Sequence, residues 1–134
     1  SQEERARRAC YIFIKRSLVE PLMADFDFAD VDSTCPVRFV TNQPTQALSL
    51  LNSEFMNRQA GVLADFLKRE AGDKVDDQVT LALTRITQRR PSKQEINRGV
   101  DLIKSLEQDG ISSDVALKYF SLATYNLNEF LFLD

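Results

Sequence analysis

Thr41–Asn52, T-N-Q-P-T-Q-A-L-S-L-L-N, ends a loop, opens a helix and commits that helix to a core within one short stretch. Pro44 has a fixed φ and no N–H, so it suits a first helical turn, where the N–H would be orphaned anyway. Thr41 and Asn42 precede it and carry side-chain oxygens able to cap the free N–H groups. Ala47, Leu48, Leu50 and Leu51 then supply a dense apolar surface. Asn52 and Ser53 interrupt it, and Ser53 is placed to cap a fresh helix from Glu54, so a break or restart is expected there.

The same helical spacing continues outward. Phe55, Val62, Leu63, Phe66 and Leu67 form a stripe that Gly72 closes as a C-terminal cap. Val75, Val79, Ala82, Leu83 and Ile86 give a third helix, stopped at Arg89-Arg90-Pro91. Ser92-Lys93-Gln94-Glu95 is a capping box, with Ser at the cap and Glu three residues on. It opens a fourth helix that turns Ile96, Val100, Ile103 and Leu106 inward and ends near Gly110. Ser112 or Ser113 caps a fifth, with the stripe Ala116, Tyr119, Phe120, Ala123 and Leu127. The apolar ending N-E-F-L-F-L-D at 128–134 must dock on the body. Ahead of Pro44, Glu3–Leu18 reads as a helix with Ala6, Cys10, Phe13 and Ser17 on one face and Ile14 and Leu18 beside it. Pro21 ends that order, and residues 20–43 read as a long ordered loop anchored by Phe26, Phe28, Phe39 and Val40.

Composition agrees with an all-α chain. Its 134 residues are 43% hydrophobic and 28% charged, with four glycines and four prolines, too few for a loop-rich sandwich or barrel. The expected architecture is a single domain, 1–134, of about five helices with a long ordered loop after the first. The opening S-Q-E-E-R-A-R-R-A already has mid-helix character, which fits a C-terminal fragment of a larger protein. No stretch reaches membrane-spanning length.

There is no histidine, which removes the commonest general base and metal ligand and the usual serine and cysteine triads. Two cysteines without paired spacing make no zinc pattern, and the C-x-x-C-H heme attachment is absent. No metal site and no catalytic residue is therefore assigned. Asp25, Asp27, Asp30 and Asp32 are spaced like calcium ligands but lack the turn glycine and distal glutamate of an EF-hand loop, so they read as capping or solvated acids. Arg85, Arg89, Arg90, Lys93 and Arg98 superficially resemble a helix-turn-helix. The Pro-Ser link and capping box account for them, and a net charge of −3 argues against nucleic acid as a partner.

Several blocks occur in a familiar order. They are Y-x-F-x-K-R at 11–16, F-D at 26–27, C-P-x-R-x-x-T-x-x-P-x-Q-A-L at 35–48 with L-L-N to 52, L-A-L-T-R-x-T-x-R-x-P-S-x-x-E at 81–95 and N-x-N-E-F-L-x-x-D at 126–134. Together they resemble the C-terminal region of a planctomycete-type domain of unknown function that accompanies planctomycete cytochrome-c-like domains. Cys10 stands where that family carries a different small or apolar residue. The resemblance implies an exported parent protein, periplasmic or at the cell surface, with upstream domains as partners. Heme would belong to that upstream region, so no cofactor is expected in this domain. The family supplies no catalytic residue to carry over.

The motif residues Lys15, Arg16, Asp27, Arg38, Thr41, Gln46 and Asn52 form a candidate polar site where the loop meets the first two helices. In one reading Arg38 clamps an anion while Gln46 and Asn52 read hydroxyls. In the other these groups satisfy the backbone of a long packed loop. Cys10 and Cys35 are a candidate disulfide if the compartment is oxidising, against two buried thiols. The expected role is a non-catalytic interaction or scaffolding module, with carbohydrate or another protein as a further partner. The alternative is an accessory or substrate-binding part of a carbohydrate-processing enzyme, for which Asp25, Asp27 and Glu129 are the acids of interest.

Overall fold

In the computed structural model the residues described are 21–29 and 43–131, together with Tyr11, Phe13, Lys15, Val19, Thr34, Val37 and Thr41. Among them there are seven α-helices and no strand, the expected all-α class. We number them α1 Pro21–Asp25, α2 Pro44–Asn52, α3 Glu54–Ala71, α4 Val75–Thr87, α5 Lys93–Gln108, α6 Ser113–Thr124 and α7 Asn128–Leu131. The chain divides into two compact units, Ser1–Ser49 and Leu50–Asp134.

In the first unit the structure corrects two expectations. Pro21 does not end order but opens α1, by the same logic that puts Pro44 at the start of α2. Tyr11, Phe13 and Lys15, inside the expected helix Glu3–Leu18, are not α-helical, and Phe13, assigned to the inward face, is 88% exposed. Tyr11 and Phe13 are aromatic residues of weak helix propensity, which is the physical reason for the departure at these positions. The remainder of that helix, with Cys10, Arg16, Asp30, Asp32, Cys35, Arg38, Asn42, Phe39 and Val40, lies outside the described residues.

The end of α1 is a Schellman motif. Phe28 N–H donates to the Met23 carbonyl (3.1 Å) and Asp27 N–H to the Ala24 carbonyl (3.3 Å). Asp27 takes the left-handed position, φ 54°, that glycine usually fills. Aspartate tolerates that region better than other side chains because its short carboxylate bonds locally.

The second unit is four packed helices, α3 to α6, with α7 against α4. The break after α2 falls as expected. Ser53 is the N-cap of α3 and its hydroxyl accepts from Met56 N–H at 3.4 Å. Asn57 spans the break, its amide donating to the carbonyls of Leu51 (2.9 Å) and Ser53 (3.1 Å). Gly72 ends α3 at φ 67°, donating to the Lys68 carbonyl. The capping box of α5 is complete: Glu95 N–H donates to Ser92 Oγ (3.3 Å) and Ser92 N–H to Glu95 Oε2 (2.7 Å).

Leu63 and Leu67 of α3, Val79 and Leu83 of α4, Val100 and Ile103 of α5, and Leu117 and Phe120 of α6 form the core. The face of α6 differs from the expected stripe. Tyr119, Ala123 and Leu127 are exposed, while Leu117, Ser121, Leu122 and Thr124 are buried. This helix touches α3, α4 and α5, so burial spreads round it. The hydroxyls of Ser121 and Thr124 are then satisfied by the carbonyls of Leu117 (2.9 Å) and Ser121 (2.7 Å).

Two helical glycines have opposite surroundings. A Cβ on Gly99 would sit 2.7 Å from Val79 Cγ1 and 2.9 Å from Phe120 Cε2, whereas one on Gly61 meets nothing within 4 Å. Gly61→Ala is therefore expected to stabilise by about 0.5–1 kcal/mol through helix propensity. Gly99→Ala has the same propensity gain but must push apart α4, α5 and α6, at about 1–3 kcal/mol for overpacking, so it lowers stability. Parallel thermal melts should move in opposite directions.

Candidate functional site

The expected polar site lies in the first unit, apart from Asn52, and its described members are placed as follows. Asp27 and Thr41 meet: the carboxylate accepts from Thr41 N–H (2.7 Å) and from its hydroxyl (2.7 and 2.9 Å to the two oxygens). Gln46 is only 5% exposed. Its amide donates to the Thr41 carbonyl (3.0 Å) and its oxygen accepts from Gln43 N–H (3.4 Å). That second bond is the return arm of a capping box, running from the third helical residue to the cap backbone. Thr41 therefore does not cap α2; its hydroxyl is spent on Asp27 and Gln46 does the capping. Asp25 accepts a short hydrogen bond from the Ser49 hydroxyl, fastening α1 to α2. Lys15 and Asn52 are exposed. Asp27, Thr41 and Gln46 thus come together as a clasp closing the loop between α1 and α2. Arg16 and Arg38, with the pair Cys10 and Cys35, fall outside the described residues.

A second constellation lies wholly within the 50–134 unit and was not assembled from the sequence. Arg89, in the turn between α4 and α5, grips two carboxylates. Its Nε and Nη2 donate to Glu129 at 2.9 and 2.8 Å; Nη1 and Nη2 donate to Glu95 at 3.1 and 2.6 Å. Both contacts are bidentate, the geometry in which guanidinium and carboxylate match best. The Arg89 clamp holds the Glu95 carboxyl at about 2, against an ordinary 4.5, helped by the Ser92 backbone N–H. Arg89 also lowers Glu129, against partial desolvation and the nearby Glu95 charge. The guanidinium in turn is pushed further up, first by Glu95 and then by Glu129.

The sign of the linkage follows. A depressed carboxyl contributes stability that is present above its unfolded value of 4.5 and is lost as pH falls from there through about 2. Melting temperature is expected to drop across that window. Glu95→Gln should flatten the drop, as should Arg89→Gln. Concentrated salt should shrink it, because the cluster is open to solvent.

The clamp forms one wall of a cavity of about 290 Å³. Its floor is the buried Leu83, Gly99 and Phe120, Leu102 lies at its exposed edge, and its more exposed lining carries Arg89, Glu95, Arg98 and Glu129. The remaining bases of that stretch have separate employment or none. The Arg85 guanidinium lies 4.6 Å over the Phe66 ring, with Arg69 at 5.5 Å from it. Arg98 makes no ion pair or hydrogen bond among the described residues. A 40-residue separation hides the Arg89–Glu129 pair from any reading of local spacing. Glu95 was visible as a cap, and its second role was not.

Among the described residues no cluster of three or more acids or cysteines is placed to hold a metal ion, and no helix is long and apolar enough to cross a membrane. Neither the curated proteins nor the solved structures gave a match. Residues 1–103 match a family model, PSD1, described as a protein of unknown function (DUF1553). The match takes in the Asp27–Thr41–Gln46 clasp and both Arg89 and Glu95, and it stops inside α5. On that match, which covers most of its length, the chain belongs to the PSD1 (DUF1553) family.

Proposed function

We propose that the chain is a non-catalytic interaction and scaffolding module of a larger exported protein, working against the parent's own upstream domains. The carrying observation is how its motif polar groups are used. Gln46, Asp27 and Thr41 spend their donors and acceptors on closing a loop and capping a helix. Glycosidic hydrolysis needs one carboxylic acid kept protonated near neutral pH. Glu95 and Glu129, the two acids that share Arg89, are both driven toward ionisation by it. The surface also offers apolar groups: Leu51 on α2, and Phe55 and Val62 seven residues apart on α3, are exposed.

The test adds the purified chain in trans to a parent protein lacking it and measures association by calorimetry and light scattering. A saturable complex weakened by the pair Phe55→Asp and Val62→Asp supports the reading. Absence of association overturns it, as does oligosaccharide binding that is lost on Gln46→Ala, which favours the carbohydrate alternative.

A further inference from the structure

The cavity beside Arg89 has a specific chemical preference. Its walls come from α4, α5, α6 and the segment leading into α7. The floor is built from Leu83, Gly99 and Phe120, so its body-binding part is apolar. Two hydroxyls line it, Thr87 and Thr124, and both donate to backbone carbonyls of their own helices, at 2.8 and 2.7 Å. A polyhydroxylated ligand would find few free partners there.

The more exposed lining carries two guanidinium and two carboxylate groups. Arg89 commits four of its five N–H donors to Glu95 and Glu129, and each of those carboxylates is neutralised by a bidentate contact to Arg89. Arg98 is the lining ion left with no ion pair or hydrogen bond among the described residues. A cationic ligand meets Arg98 and two carboxylates already occupied. A dianion such as a phosphate monoester gains Arg98 but faces the negative edges of Glu95 and Glu129 at the same time. A single carboxylate gains a bidentate partner at the lowest cost in repulsion.

We propose that this cavity binds a compact apolar group bearing one carboxylate, with the apolar body against Leu83 and Phe120 and the carboxylate on Arg98. Two sources present that chemistry: a free aliphatic or aryl-aliphatic acid, and the C-terminal residue of a polypeptide. The inference concerns the 50–134 unit alone and stands independently of the association with upstream domains.

The experiment titrates the whole chain with octanoate, with phenylbutyrate and with a short peptide ending in a free phenylalanine carboxylate. Each is paired with its primary amide. Binding is followed by calorimetry and by backbone amide shifts at Leu102 and Phe120. At least one acid should saturate with a Kd of about 0.1–1 mM, the range for a ligand of roughly ten heavy atoms. Its amide should bind about tenfold more weakly or worse, since the charged hydrogen bonds are lost. Arg98→Gln should cause a similar loss, and Arg90→Gln, whose side chain is outside the cavity, should not. Ala123→Phe, which fills the cavity from an exposed position on α6, should also abolish binding while leaving the melt intact. Saturation by the peptide alone identifies a polypeptide C-terminus as the source, and saturation by octanoate or phenylbutyrate alone a free acid. Equal binding of acid and amide overturns the proposal, as does indifference to Arg98→Gln, or no saturation by any of the three up to about 10 mM.

Discussion

Phe120→Ala is expected to destabilise the 50–134 unit by about 3–5 kcal/mol, the loss of a large side chain from the centre of its core. The ring is buried at 3% exposure, in a core cluster to which α3, α4, α5 and α6 all contribute. It also lies against the Gly99 backbone, where α5 comes close enough to α6 that no side chain fits between them. Removing the ring therefore takes away apolar contact on several sides at once. Relaxation cannot easily fill the gap, because Gly99 has no side chain to move into it and the neighbouring cavity is already open. A domain of ordinary stability has about 5–15 kcal/mol in total, so this loss is a large share. Urea unfolding should show a lower midpoint at unchanged slope, the sign that stability rather than compactness has changed. Tyr119→Ala, one residue away but largely exposed, should stay within about 0.5 kcal/mol. If the two variants unfold alike, α6 does not present its Phe120 face to the core.

That contrast shows where local pattern stops being informative. Tyr119 and Phe120 are both apolar at plausible helical spacing, and the sequence offers no reason to rank them. The choice is made by the three helices that surround α6, which bury Ser121 and Thr124 and leave Tyr119 outside. Features fixed by a few adjacent residues were legible: the Pro44 start, the Ser53 restart, the Gly72 cap and the Ser92–Glu95 box. Their chemistry is complete within one helical turn. Pro21 departs from expectation because the helix it opens is closed by Asp27 rather than by a glycine, so the sequence shows no stop for α1. The Asp27–Thr41 contact spans 14 residues and the Arg89–Glu129 contact 40, distances at which only the fold brings groups together. The motif at 35–48 contains both Thr41 and Gln46, and the two do meet in one clasp with Asp27. Their bonds within it are structural ones that residue type alone leaves open.

Asp27 itself yields the second large effect, and a substitution series separates its two contributions. Its backbone sits at φ 54°, which costs an ordinary L side chain roughly 1–2 kcal/mol. Its carboxylate holds Thr41 by both backbone and hydroxyl, contacts worth about 0.5–1.5 kcal/mol each at a half-buried site. Asp27→Ala loses both, so about 2–4 kcal/mol of protection against opening is expected to vanish from the segment 21–49. Asp27→Gly keeps the left-handed turn and loses only the clasp. Asp27→Asn keeps the turn and one acceptor oxygen, and should be the mildest of the three. Native-state hydrogen exchange resolves the segment from the 50–134 unit, since local opening is read amide by amide. The expected order of protection is wild type, then asparagine, then glycine, then alanine, with the amides of Thr41 and Gln46 most affected. If glycine instead equals or exceeds wild type, the left-handed turn outweighs the carboxylate and the Thr41 contact contributes nothing net. If alanine matches glycine, backbone strain at Asp27 is negligible and the carboxylate alone holds the loop.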